Sequence, residues 1–311
     1  ALEQRVGLAF VGDPHQALPV GHAGAMASAI RHANASVELD TVHRFDDADY
    51  AAPTLRLRNT STPADRFAVA SELHDSGHIS RVASHDAALT AMVSAYFHCT
   101  AQEKSVALVT ATNEDADAVS FAIQQLRLQR GDLDRTRVAM GRDRQRLYEG
   151  DVVQTRRNDV RAGVDNRALW IVSKVTADTL QLRAMAETGV IRSVTREYAG
   201  EHVHLAYAST VHGIQGETTD VAMVGPDVDA AGLYVGLTRG RERNTALVVA
   251  RSESAAKHAI ADSLRRGVTE VTIEDSIAAA RAEARRVALP ARQPDSWMPL
   301  IPAPSVGGIS R

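Results

Sequence analysis

Four short segments of this 311-residue chain set hydrogen-bonding and cationic side chains where phosphate chemistry uses them. In Val11-Gly12-Asp13-Pro14-His15-Gln16 an apolar run ends in turn chemistry, which leaves a carboxylate and a neutral amide at a strand's carboxyl end. Ligands of open α/β sheets sit at that end, and an amide such as Gln16 can hydrogen-bond a terminal phosphate. A plain strand-to-loop turn accounts for the same residues. In Thr41-Val42-His43-Arg44-Phe45 one arginine follows a short strand, a place usually held by a solvated side chain. Tyr207 to Thr218 crowds small residues, Thr210, His212, Gln215, Gly216 and Glu217 at a strand end. Such a loop can offer backbone N–H and hydroxyl groups to the phosphates of a nucleic-acid strand. In Leu233 to Asn244, Arg239, Arg241 and Arg243 fall within five residues. That spacing is ordinarily a solvated helix face; its other use is bidentate pairing with phosphate oxygens, including charge that develops in phosphoryl transfer.

These segments need elements to hold them. Val6 to Val11 and Ser105 to Thr110 are short apolar runs that predict buried parallel strands. Thr112 to Asp115 then supplies a turn and an N-cap for a helix ending near Arg130. Further helices are expected over 23–32, 66–74, 85–97, 252–266 and 273–286, with another short strand at 37–39. From about Gly150 the texture changes. The segments 151–156, 169–175, 179–185 and 190–198 are short, closely spaced, alternating and rich in Val, Thr and Ile, which predicts a small all-β unit. Strands resume at 203–207, 219–224 and 246–250, and proline and glycine without periodicity after residue 290 predict a flexible tail. The fold expected is α/β with an inserted β unit.

Composition narrows the classes. Hydrophobic residues make up 44% of the chain and the net charge is −3, so a buried core is possible and no overall basic signature is present. A local basic groove is compatible with that balance. Basic charge is nearly all arginine; Lys104, Lys174 and Lys257 are the only lysines. One cysteine, Cys99, excludes a disulfide framework and fits a reducing, cytoplasmic compartment. No run approaches the roughly 20 apolar residues of a membrane span, and no membrane association is expected. No carboxylate cluster has two-metal spacing, which argues against a nuclease. His202-Val203-His204 is the only His-x-His, too little for a metal centre, and no metal ligand is assigned.

Taken in order, the four segments resemble the later motifs of superfamily 1 helicases of the RecD type, closest to the helicase part of MobF-family conjugative relaxases. GDPHQALPV is similar to the third motif, TVHRF to the arginine motif after it, TVHGIQGET to the fifth and YVGLTRGRERN to the sixth. VALVTATNEDADAV resembles a strand–helix segment of the family, and YEGDVVQTRRND with LWIVSKV the start of its SH3-like insertion. The resemblance covers roughly residues 6–250. It implies a RecA-like (P-loop NTPase type) parallel-sheet domain with a small SH3-like β-barrel insertion. The parts implied are 1–40 as the end of a first RecA-like domain, 41–148 and 204–252 as the second, 149–203 as the insertion, 253–289 as a helical extension and 290–311 as a tail.

The resemblance also implies roles. Gln16, Arg44 and Arg239 would act on the nucleotide γ-phosphate, with Gly12, Asp13, Gly216, Glu217 and Arg241 around it. Thr110, Thr155, Arg156, Arg157, Asn158, Thr210, His212 and Gln215 would face single-stranded DNA. The parent would be an ATP-dependent 5′–3′ helicase using ATP and Mg²⁺. This sequence departs from the family at Ala17, Thr218 and Asn166-Arg167-Ala168. No lysine follows a glycine, so no P-loop is present, and no Asp-Glu pair ends a strand. Both lie upstream of the GDxxQ motif in the family. The expectation is a chain that begins inside a domain, binds neither ATP nor Mg²⁺ tightly, and has the missing N-terminal RecA-like domain and single-stranded DNA as partners. The alternative is a non-catalytic module that binds single-stranded DNA or a protein partner.

Overall fold

The computed structural model describes residues 11–12, 33, 35–37, 44–58, 60–214 and 216–266. The expectations for Asp13, Gln16, Gln215, the helices over 23–32 and 273–286 and the tail lie outside the described residues. Val11, expected at the end of a buried strand, is 94% exposed and in no strand; Gly12 beside it is exposed too.

A parallel five-stranded sheet forms the frame. Its order is β1 (Ile79–Val82), β12 (Gly240–Val249), β11 (Thr219–Val224), β2 (Val106–Thr110) and β10 (Ser209–Thr210). Every neighbouring pair is parallel, for example Ala107 opposite Ala222 and Ala222 opposite Asn244. Side chains alternate across a strand, so a parallel sheet covered on both faces needs apolar residues at successive positions. β2 and β12 have them. Val109, Ala246 and Val248 enter one core with Leu73, Leu233, Leu237 and Ile260, while Leu108 and Leu247 enter the other with Met92 and Ile123.

Helices cover both faces, and the four longest begin on side-chain caps. α2 (Pro63–Asp75) starts with a capping box between Thr62 and Asp65 and has Pro63 in its first turn. α3 (His85–Ala101) is capped by Ser84, α4 (Asn113–Arg130) by Thr112 and α8 (Glu253–Arg265) by Ser252. α1 (Ala51–Leu57) packs on α2. Gly131, with φ +80, ends α4 in the left-handed turn that glycine favours.

An antiparallel hairpin, β3 (Asp134–Met140) and β4 (Arg146–Glu149), leads to a second five-stranded sheet. Its order is β8 (Ile191–Thr195), β7 (Thr179–Ala184), β6 (Leu169–Val175), β5 (Val152–Thr155) and β9 (Val203–Leu205), all antiparallel. The strand expected over 190–198 stops at Thr195, because that hydroxyl accepts from the Tyr198 N–H and caps α5 (Arg196–His202). The segment 203–207 does form a strand, but it pairs with β5 rather than with the parallel sheet. The second sheet is not an isolated module. Val153, Trp170, Leu180 and Leu182 share one core with Leu108 and Leu247 of the parallel sheet. A buried polar knot also ties the two together: Asp151 accepts from the Tyr207 hydroxyl (2.6 Å), the Gln124 amide (2.6 Å) and the Tyr148 N–H (2.7 Å).

Candidate functional site

The first candidate face lies where α7 (Ala230–Leu237) turns into β12. Asp229 caps α7, and Thr238 ends it. At Gly240 a Cβ would sit 2.4 Å from the Arg243 carbonyl oxygen, so the turn requires glycine. This turn sends Arg239 back along the helix rather than into solvent. The side chain donates from Nε to the Val235 carbonyl (2.8 Å), from Nη1 to the Glu217 carbonyl (3.1 Å) and from Nη2 to the Thr238 hydroxyl (3.2 Å). It is 2% exposed. The sequence reading of a solvated helix face therefore fails for Arg239: the carbonyl-rich end of a helix accommodates a buried guanidinium. Arg241 and Arg243 are exposed on β12, not on a helix, so Arg241 does not join Arg239 in the buried turn.

Arg44 reaches the same turn from 194 positions away and donates to the Thr238 carbonyl. Its segment is fixed by three further contacts. The Asp46 N–H donates to the Arg241 carbonyl (3.0 Å) and the Tyr50 hydroxyl to the Leu237 carbonyl (2.8 Å). Phe45 packs edge-on against Tyr50, whose ring lies over His78. Burial first, and the Arg44 charge second, pull the Arg239 guanidinium down to about 10. Among the described residues no salt bridge reaches either arginine. Two like charges in so small a space attract an anion. Glu217 contributes its backbone carbonyl here, and Gly216 holds φ +96 in the preceding turn.

The second face is a polar cavity of about 110 Å³. It opens beside the carboxyl end of β10 and the first turn of α4, the edge where open α/β sheets bind ligands. Thr210, Asn113, Arg142, Arg156, Asp117 and His204 are in its wall. The Arg156 Nε is buried without a hydrogen-bond partner. Burial, then Arg142 and Arg167, hold that guanidinium below its ordinary range. Burial also raises the Asp117 carboxyl, against the Gln145 hydrogen bond and the Arg156 charge, which lower it. His204 is pushed down to about 3, by burial first and then by Arg156 and Arg142, and stays neutral. A buried guanidinium nitrogen with no acceptor, in a cavity that Arg142 also lines, is a place for an oxyanion.

Of the residues expected to face DNA, the structure brings Arg156 and Thr210 together in this cavity. Arg157 and Asn158 are exposed on the adjoining loop. His212 is half-buried in α6 (Val211–Ile214), which follows Thr210 directly. Two expectations are corrected. Thr155 is fully buried, and its hydroxyl donates to the Asp165 carbonyl and accepts from the Trp170 indole. Thr110 is 1% exposed and donates to the Thr112 carbonyl (2.9 Å). Both hydroxyls are taken up inside the fold. Sequence reasoning missed Arg142 and His204. Only their place beside Arg156 in three dimensions marks them. His202 and His204 do not converge: the first lies by Glu201 and Arg157, the second by Gln154.

Residues 1–84 match a family model described as an AAA domain. The multifunctional conjugation protein TraI of Escherichia coli is 36% identical over 87 residues, which is 27% of this chain and 5% of TraI. The chain carries a superfamily 1 helicase-like region related to the MobF relaxases. An uncharacterized protein of Mycobacterium tuberculosis is 35% identical over 94 residues, 29% of this chain and 53% of that protein. The chain thus spans a small part of TraI and about half of the mycobacterial relative. Among solved structures, a Bacteroides Pif1 helicase in complex with ADP-AlF3 and ssDNA aligns over 81% of this chain and 57% of its own, at 16% identity and a TM-score of 0.45. A second Bacteroides Pif1 structure, bound to ssDNA, aligns at 17% identity and a TM-score of 0.42 over 80% and 57%.

Proposed function

We propose that this chain is the strand-gripping part of a DNA motor. It binds the backbone of single-stranded DNA at the Arg142–Arg156 cavity and presents Arg44 and Arg239 toward a nucleotide held by another RecA-like domain. The observation that carries this reading is the meeting of Arg44 and Arg239 at Thr238, two arginines from separate motifs fixed on one turn. The parallel sheet is read as the second RecA-like domain and the antiparallel sheet as its SH3-like insertion. The intact parent is read as a cytoplasmic, ATP-dependent 5′–3′ helicase of the conjugative type.

The residues of this chain do not fit an ATP cradle. No glycine is followed by lysine, and among the described residues no group of three His, Cys, Asp or Glu side chains is placed to hold a metal ion. ATP and Mg²⁺ are therefore assigned to the parent. What this chain would add there is cationic stabilisation of the charge that develops on a transferring phosphoryl group.

The test is single-stranded DNA binding by anisotropy across a salt series, with ATP hydrolysis followed in the same samples. The expected result is binding without hydrolysis, with Arg156→Ala weakening binding and making the salt dependence shallower by nearly one counterion. Absence of binding at low salt refutes the reading. So does hydrolysis that Arg239→Ala abolishes, since it requires a complete nucleotide site in this chain.

A further inference from the structure

Gln154 lies between the two faces. It sits on β5, is 1% exposed, and comes from the antiparallel sheet rather than from any of the four motif segments. Its amide nitrogen donates twice, to the Arg167 carbonyl (3.0 Å) and to the Gly213 carbonyl (3.1 Å) of α6. Its amide oxygen faces His204 Nε2 at 3.5 Å, and a neutral imidazole can donate there. Arg167 adds a second tie, from its guanidinium to the His212 carbonyl (3.2 Å). Arg167 holds φ +70, a conformation that disfavours side chains. α6 has only four residues, so its carbonyls find few partners within the helix. Two successive ones, those of His212 and Gly213, are taken by the antiparallel sheet.

The contacts continue in both directions. The Ile214 carbonyl accepts from the Glu217 N–H (3.2 Å), and the Glu217 carbonyl accepts from Arg239 (3.1 Å). In the other direction Gln154 is two residues from Arg156 and cross-strand from His204, both in the cavity wall. At Gly213 a Cβ would meet the Ser209 Oγ at 1.9 Å, so α6 has no slack against β10.

We propose that Gln154 is a positioning residue that couples the strand-binding cavity to Arg239, by holding α6 and the Glu217 carbonyl in register with the antiparallel sheet. This rests on the reading that the cavity takes a DNA strand.

The test is amide hydrogen exchange of the full chain, free and with a saturating thymidine oligonucleotide, after binding itself has been measured by anisotropy. In the wild-type chain, binding is expected to slow exchange over 113–117 at the cavity. It should also slow exchange over 211–217 and 238–243, by about fivefold, the effect of one ordinary net hydrogen bond on local opening. Gln154→Met should bind within about threefold of wild type, as expected for a residue outside the cavity wall, and keep the slowing over 113–117. It should lose the slowing over 211–217 and 238–243. Arg167→Met, on the exposed side of the same clasp, should give an intermediate loss and serves if the first variant does not fold. A residue that only stabilises α6 raises exchange with and without the oligonucleotide and leaves their ratio intact. A wild-type ratio in either folded variant overturns the proposal, as does a bound wild-type chain with no change over 238–243. A wild-type chain that does not bind fails already at the anisotropy step, and the functional reading falls there together with the coupling.

Discussion

Replacing Tyr207 with Phe removes one hydroxyl, and with it two hydrogen bonds, from the knot that joins the two sheets. The Tyr207 hydroxyl donates to Asp151 Oδ1 (2.6 Å) and accepts from Arg127 (2.7 Å), while its ring packs edge-on to Tyr96. Phenylalanine keeps the ring and removes the oxygen. Asp151 is fully buried and retains the Gln124 and Tyr148 donors, and Arg127 retains the Gly150 carbonyl. The loss is two hydrogen bonds to charged groups, about 3 kcal/mol together, or roughly 150-fold in the folding equilibrium. The penalty carries a pH signature. Burial raises the Asp151 carboxyl, and the Tyr207 hydrogen bond is the largest influence that lowers it again. Without the hydroxyl the folded-state value rises further. A carboxyl whose folded value exceeds its unfolded one costs stability above that range and stops costing it as pH falls and the group protonates. The deficit of Tyr207→Phe should therefore be full at neutral pH and shrink in mild acid. Urea denaturation of both proteins at about pH 7 and about pH 4.5, just above the ordinary carboxylate range, reads both effects. A deficit below about 0.5 kcal/mol, or one that does not change with pH, refutes the reasoning.

His204 gives a slope of its own. Its folded value is about 3 against an ordinary 6.5, so the unfolded chain takes up the proton first and stability falls as pH drops through that interval. His204→Gln should flatten the slope, and an unchanged urea profile between those limits would count against the buried, neutral imidazole. Gly236→Ala places a Cβ 2.5 Å from Val224 Cγ2 beneath α7, which should cost about 1–3 kcal/mol. Val224→Ala in the same chain should recover part of that in thermal melts, and additive losses would show that the clash is elsewhere. Arg44→Ala removes the charge that helps to depress Arg239, so oligonucleotide binding at the distant cavity should stay within about twofold; a larger loss would tie Arg44 to the strand rather than to the nucleotide face.

What the sequence made legible follows from how local each signal is. The strand β2 and the start of α4 could be read from Val106 to Asp115, because an apolar run and a capping threonine act over a few residues. The strands β5, β6 and β7 could be read from alternation, which burial of one face imposes. β1 went unread: Ile79 to Val82 is short and interrupted by Arg81, and pairing with β12 makes it a strand. The arginine-rich hairpin β3–β4 went unread for the same reason. At the site, Arg44 and Arg239 were legible as chemistry but not as a pair meeting on one turn, since the carbonyls that receive Arg239 belong to residues 217 and 235. Thr155 looked polar and available; its neighbours Asp165 and Trp170, distant in sequence, take up its hydroxyl.

The chain enters and leaves the antiparallel sheet at one place. β5 enters it and β9 leaves it side by side, with Val153 opposite Leu205 and Thr155 opposite Val203. The chain between residues 156 and 202 starts and ends at that ladder, while Trp170, Leu180 and Leu182 within it pack into the core shared with the parallel sheet. Loops between its strands whose two ends already meet can change length at little entropic cost; the strands that feed the shared core cannot. Gln154 and His204 sit on the ladder itself, at the neck.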